Sequence, residues 1–365
     1  LRHWFYGSLV VVALLFVLPA HAGGYDAHWY HEVDKQSAWQ SNLDARMTAI
    51  AERFAGNIGV YVQNLTSGEA YSWRADDPWY LASLIKVPVA AEVLGKRVPT
   101  SERLTLTQSD YVDGAGPTNW HDPGTPISVG YLLEHMITVS DNTATDMLIE
   151  RVGLDNVNQR ARAMVAANGG DPDTLGPISK LVGVRQGVYG ELHSEARSLD
   201  GMDFIALRES PVSQRTQALA KRLNVSPETF NQPDYHRAFD AYQERGENAG
   251  TLRAFGDVLA TLYRGAMPDL QGSPSDEVLA LMANTRSGEQ RLKKGFGESV
   301  SYAHKTGTQD RRSCDAGLVE RKEQPNAAWA VVVCTQGPDE VSDHERALVG
   351  VGLALRRSGA LGAPW

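Results

Sequence analysis

Three short groups of residues carry side chains that together can do acyl-transfer chemistry. Ser83-Leu84-Ile85-Lys86 sets a hydroxyl and an amine three residues apart at the start of a helical stretch, a spacing that puts both on one face. A serine hydroxyl is a poor nucleophile until a neighbouring base takes its proton. Lysine serves when it is desolvated beside a second cation, which lowers its pKa. The helix start also aims free backbone N–H groups at a developing oxyanion. Ser140-Asp141-Asn142 falls between two helical stretches. There Ser140 can relay a proton to a leaving nitrogen, and Asn142 can bond a substrate amide and hold Lys86. The same tripeptide also suits a plain helix N-cap. Lys305-Thr306-Gly307-Thr308 ends a strand pattern. Lys305 can hold an anionic substrate group and polarise Ser140, and Gly307 lets a ligand approach the strand edge. The hydroxyls of Thr306 and Thr308, with the Thr308 N–H, can bond substrate. An edge strand guarded by a lysine would read the same way.

The elements that must position these groups follow from periodicity. Trp39, Leu43, Met47, Ile50 and Phe54 recur at three and four, predicting a helix over 37–54 that Gly56-Asn57 stops. Strands are expected over 58–63 and 70–73 around a turn at 65–68. Helices are expected over 86–94, 129–137, 143–152 and 155–167, with a Gly- and Pro-rich loop over 114–126. From 169 to 250 the pattern breaks into short helical patches and polar linkers. Helices return at 251–263 and 278–282. Strands close the chain at 300–305, 316–319 and 329–334, with a charged loop over 320–328 and a last helix over 342–357. Strands at both ends and helices between them imply an α+β fold of the three-layer type: one mainly antiparallel sheet flanked by helices, with an inserted all-α lobe. The expected division is a sheet lobe over about 37–80 and 285–357 and a helical lobe over about 81–284. A hairpin centred near Gln324 would set Cys314 opposite Cys334, which implies a disulfide or two buried thiols.

In this order, each on the element its chemistry needs, the three groups form a known combination. The chain resembles the serine β-lactamase and penicillin-recognising superfamily, most of all its class A. Ala82–Pro88, Met136–Ala144 and Ala303–Thr308 are similar to class A segments. The resemblance implies Ser83, Lys86 and Ser140 as catalytic residues and Asn142, Lys305, Thr306, Gly307 and Thr308 as substrate-binding residues. It implies a β-lactam or acyl-D-Ala-like substrate. No cofactor is expected, and no metal either, since the chain has no His-rich ligand spacing such as H-E-x-x-H. One departure matters. Ser83 and Ser140 stand 57 residues apart, as in the family, but Ser140 and Lys305 stand 165 apart, several dozen more. The excess falls where class A enzymes carry an omega loop with a Glu-x-x-Leu-Asn motif, whose Glu directs the water that clears the acyl-enzyme. This chain has no such motif. Carboxylates there include Glu191, Glu195, Asp234, Glu244 and Glu247, with Asn248 one turn after Glu244. Three functions stay open: a β-lactam hydrolase, a D-alanyl peptidase or small-ester hydrolase, and a sensor that is acylated and stays so. Arg312 beside Lys305 is a candidate carboxylate anchor or a solvated loop arginine, and Trp120 a candidate for the mouth of the cleft.

Composition narrows the setting. The 365 residues hold 35 Lys+Arg and 44 Asp+Glu, a formal net charge of -9, which gives no electrostatic reason to bind nucleic acid. Two cysteines are too few for a four-cysteine zinc site or a disulfide scaffold. The apolar block Leu9–Leu18 follows Arg2 and ends at Ala20-His21-Ala22. That arrangement predicts a signal peptide over 1–22, cleaved near Ala22, and one catalytic domain over 23–365. The expected product is periplasmic or secreted, unanchored and monomeric.

Overall fold

The computed structural model describes residues 37–364; the segment expected to be a signal peptide lies outside them. The chain opens with helix α1 (Ala38–Ala51), then β1 (Asn57–Asn64) and β2 (Ala70–Trp73). After the short β3 (Trp79–Tyr80) and a 3-10 turn over Ala82–Ile85 come α2 (Lys86–Gly95), β4 (Arg103–Thr105), β5 (Pro126–Ser128), α3 (Val129–Thr138), α4 (Asn142–Val152) and α5 (Leu154–Ala167). The extra residues form α6 (Leu181–Leu192), α7 (Gly201–Arg208), α8 (Arg215–Leu223) and α9 (Tyr235–Gln243). Then follow β6 (Ala249–Gly250), α10 (Leu252–Arg264), α11 (Ser273–Ala283), α12 (Leu292–Phe296), β7 (Val300–Gln309), β8 (Arg312–Arg321), β9 (Gln324–Gln336) and α13 (Val341–Ser358).

The main sheet has the order β2-β1-β9-β8-β7, and each of its pairings is antiparallel. Period-two alternation sorts β9 between two cores. Val331 and Val333 face a core with Leu43 and Met47 of α1 and Leu348, Val351 and Leu355 of α13. Ala330, Val332 and Cys334 face the larger core, which takes in Phe255 and Leu259 of α10 and most of the helical lobe. The sheet is therefore buried on both faces, the three-layer arrangement that the sequence implies.

The closing hairpin departs from expectation. β8 runs on to Arg321 and β9 begins at Gln324, so the charged stretch over 320–328 is mostly strand, with a register shift at Glu320/Arg321. β7 runs four residues past the expected Lys305, so Lys305-Thr306-Gly307-Thr308 forms its C-terminal half. Cys314 and Cys334 are register partners and form a disulfide.

Residues 181–243 have a core of their own: Val188, Tyr189, Leu192, Phe204, Leu219, Phe239 and Tyr242, together with Tyr80 and Ala82. Tyr80 meets Phe239 edge to face at 5.1 Å, and Tyr189 stacks on Phe204 at 5.2 Å, contacts worth about 1 kcal/mol each beyond their buried area. The added helices thus dock on Tyr80 and Ala82, in the turn that leads to Ser83. Among the described residues no helix is long and apolar enough to cross a membrane.

Candidate active site

The 3-10 turn Ala82–Ile85 leads straight into α2. In a 3-10 turn residues three apart eclipse each other, so Ser83 and Lys86 share a face. Ala82 has φ 49° and Ser140 has φ 63°, a region that non-glycine residues seldom occupy. The chain is thus forced into tight turns on both sides of the cleft. Ser83 is half-buried, and its hydroxyl has no hydrogen-bond partner among the described residues, which leaves it free for a substrate.

Lys86 is completely buried. Its Nζ donates to Asn142 Oδ1 at 2.7 Å, the Ser140 carbonyl at 2.7 Å and Ser140 Oγ at 3.1 Å. Burial pulls its pKa down to about 7, against the opposing pull of Asp141 and Asp146. A pKa there lets Lys86 exchange a proton near neutral pH, and its Nζ already meets Ser140.

Asp141 is the N-cap of α4, accepting from the Ala144 N–H at 2.9 Å. The capping and catalytic readings of Ser140-Asp141-Asn142 are thus compatible: Asp141 holds the helix while its neighbours face the cleft. Asp141 also accepts from the Thr118 N–H at 2.8 Å, and Asn142 Nδ2 donates to the Asp113 carbonyl at 2.7 Å. A Cβ at Gly116, where φ is 108°, would lie 2.1 Å from Asp141 Cγ. The glycine-rich loop therefore packs against the motif, a role that its turn-like composition does not announce.

Lys305 is also fully buried and donates to the Thr306 carbonyl at 2.9 Å. Burial, then the nearby charges of Lys86 and Arg291, hold its pKa well below the usual lysine range. Thr306 Oγ1 shares a hydrogen bond with Ser287 Oγ at 2.6 Å. A Cβ at Gly307 would lie 2.8 Å from the Leu81 carbonyl and 3.2 Å from the Ser83 nitrogen. Glycine is what allows β7 to run beside the nucleophile.

The cleft, about 540 Å3, is lined by Ser83, Ser140, Asn142, Thr306 and Thr308, and so brings the three groups together. Arg291, which carries no sequence signal of its own, is the cation beside Thr308. It is buried, and donates to Thr308 Oγ1 at 2.6 Å and to the carbonyls of Gly307 and Cys314 at 3.1 and 3.0 Å. Arg312 does not fill that role. It is turned to Asp240, Gln243 and the Asp310 carbonyl and stacks on Phe239. Trp120 is 84% exposed, in a recess that shares Asp113, Gly114 and Arg208 with the cleft.

The expected carboxylates lie elsewhere. Glu191 pairs with Arg197 and Arg245. Asp234 caps α9. Glu244 lines a separate cavity with Pro78 and Arg311, and Glu195 and Glu247 are not part of the cleft wall. The wall has two aspartates: Asp113, bound to Arg185, and Asp310, bound to His236 at 2.7 Å. Leu181 and Val184, at the start of α6, also line the cleft. Asp146, one turn beyond Asn142 on α4, fixes that segment by accepting the N–H groups of Leu181 at 2.7 Å and Val182 at 2.9 Å.

Residues 42–187 and 200–356 match the model of the beta-lactamase enzyme family. Beta-lactamase ROB-1 of Haemophilus influenzae is 29% identical over 122 residues, 33% of this chain and 39% of that protein. Beta-lactamase FAR-1 of Nocardia farcinica is 26% identical over 217 residues, 54% of this chain and 69% of that protein. The chain thus spans about two fifths of the length of the first of these relatives. A solved beta lactamase of Xanthomonas campestris superposes with a TM-score of 0.63 at 18% identity, over 88% of this chain and 98% of that one. The structure of PBP-A gives 0.60 at 20%, over 86% and 94%. At such identities the likeness carries the fold.

Proposed function

The chain belongs to the beta-lactamase enzyme family, and from that premise we propose that it is an exported serine hydrolase that opens β-lactam rings through an acyl-enzyme on Ser83. Ser83 Oγ attacks the ring carbonyl carbon as Lys86 takes the hydroxyl proton. The N–H groups of Ser83 and Thr308 hold the oxyanion. The carbon–nitrogen bond then breaks. Ser140 gives its proton to the leaving nitrogen and recovers one from Lys86, to which it is already hydrogen-bonded. Lys305 and Arg291 hold the substrate carboxylate, and Asn142 bonds the side-chain amide. Water later cleaves the ester, which restores Ser83 and releases the opened acid. The observation that carries the reading is Lys86, buried, near pKa 7 and joined to both Ser140 and Asn142.

The cleft also supports a specific view of turnover. Its two aspartates are already bound to Arg185 and His236, and the start of α6 gives the cleft the apolar side chains of Leu181 and Val184 rather than a carboxylate. Acylation should therefore be fast and deacylation slow, which favours a D-alanyl peptidase or a lasting penicillin adduct as the second reading. With a chromogenic cephalosporin, the expected result is a product burst equal to the enzyme concentration followed by a slow steady phase, both lost in Ser83→Ala. Product release without any dependence on Ser83 would refute the nucleophile.

A further inference from the structure

Seven arginines lie between Leu181 and Asn248. Five have carboxylate partners: Arg185 with Asp113, Arg197 and Arg245 with Glu191, Arg222 with Asp203, and Arg237 with Asp240. Arg208 and Arg215 have none among the described residues, and both line the cleft. What sets them apart is their shared place on one cavity wall.

Their placement is informative. Arg208 ends α7 beside Gly114. A Cβ at Gly114 would lie 2.2 Å from Asn142 Nδ2 and 3.2 Å from Arg208 Nη1. Arg208 therefore flanks the amide that bonds the acyl side chain, a group separate from the cation Arg291 held against Thr308. Arg215 is set by its Nε donating to the Ser210 carbonyl at 3.3 Å and by lying over the Tyr235 ring at 5.1 Å. A guanidinium fixed by its Nε and one face keeps its remaining N–H groups for a ligand. The cleft wall carries four arginines against two aspartates, although the chain as a whole has a net charge of -9. Such a contrast draws anions into a cavity. The adjoining recess, about 420 Å3 and shared at Arg208, gives room for a long side chain.

We propose that Arg208 and Arg215 form a second anion subsite, so that the preferred acyl donors carry a carboxylate at the end of the acyl side chain as well as the one held by Lys305 and Arg291. The inference rests on the acyl-transfer reading and names its substrate class. The added helices α7 and α8 then act as a specificity wall supplied by the extra residues of this chain.

The test uses two cephalosporins alike except at the end of the 7-acyl chain, one glutaryl with a free carboxylate and one glutaramyl with a neutral amide. Second-order acylation rates are measured on the wild type, Arg208→Gln, Arg215→Gln and the double variant. A charge-assisted pair at a half-exposed site should favour the carboxylate probe about tenfold, and the double variant should bring the ratio close to one. The ratio is taken within each protein, so partial unfolding cancels. Calorimetric binding of both probes to Ser83→Ala supplies the same ratio without chemistry. If neither probe acylates the wild type but the binding ratio behaves as described, the subsite stands and the acyl-transfer reading fails. No preference for the carboxylate, or one that survives the double variant, overturns the subsite.

Discussion

Replacing Lys86 tests the core of the chemistry. Its pKa near 7 leaves about half of the side chain as free amine at pH 7, whereas a lysine at 10.5 leaves about three parts in ten thousand. Burial thus supplies about a thousandfold more base. Acylation by a penicillin, followed by quenched intact-mass sampling, should rise about tenfold from pH 6 to pH 8 and level off above. The free amine keeps two N–H groups for the three acceptors around it, so deprotonation also releases one contact to Ser140 or Asn142. Lys86→Met should cost about 10²–10⁴ in rate, the usual worth of a general base, and should abolish the inflection near pH 7. Asp146, held near 6 by burial, titrates close by, and a profile arising from it would survive in Lys86→Met. A flat profile from pH 5.5 to 8.5, or wild-type rates in Lys86→Met, would refute the assignment. The same shift has a stability sign. The unfolded chain keeps that proton up to about 10.5 and the folded one sheds it near 7, so the protein should gain stability as pH rises between the two.

Other expectations follow from single contacts. Gly307→Ala should press on the Leu81 carbonyl and spread β7 from Ser83, costing about 1–3 kcal/mol of stability and about 10²-fold in acylation; denaturant melts and mass sampling measure both. Cys314→Ser with Cys334→Ser opens a 20-residue loop and should lose about 3 kcal/mol in guanidinium titrations, while free thiols in the denatured, unreduced wild type would contradict the bridge. Leu181→Glu brings a carboxylate to the cleft wall and should shorten the acyl-enzyme lifetime about tenfold. An unchanged lifetime would mean that the missing base is not what limits turnover.

The sequence-legible part of this fold is the part built from long periodic elements. Helix α1 and α10, strands β1 and β2, and the β7 motif fall within a few residues of their expected bounds because each buries a regular face. Helices α6 to α9 are only 8 to 12 residues long and bury their apolar residues in a local core, so few turns exist to reveal a period. The hairpin over 320–328 hides because Glu320 and Arg321 continue β8 and only Lys322 and Glu323 make the turn, so a charged run that looks like loop is largely strand. At the site, the three motifs and their order were visible because their chemistry is tied to local spacing. Arg291 and Asp146 were not, since each acts through contacts with residues distant in the chain. Arg312 misled because its nearness to Lys305 in sequence says nothing of direction: it turns to Asp240 across the sheet end. The glycines at 114 and 116 have the composition of ordinary turn residues, and only the fold sets Asn142 and Asp141 against them.

The most direct test of the account is intact-mass spectrometry of the purified protein mixed with benzylpenicillin and sampled from seconds to hours. The expected result is one penicilloyl adduct per chain, formed within seconds, mapped to the peptide containing Ser83, decaying slowly and absent in Ser83→Ala. Rapid accumulation of opened penicillin with no lasting adduct would contradict the slow deacylation read from Leu181 and the bound aspartates. An adduct that persists in Ser83→Ala would contradict the nucleophile itself.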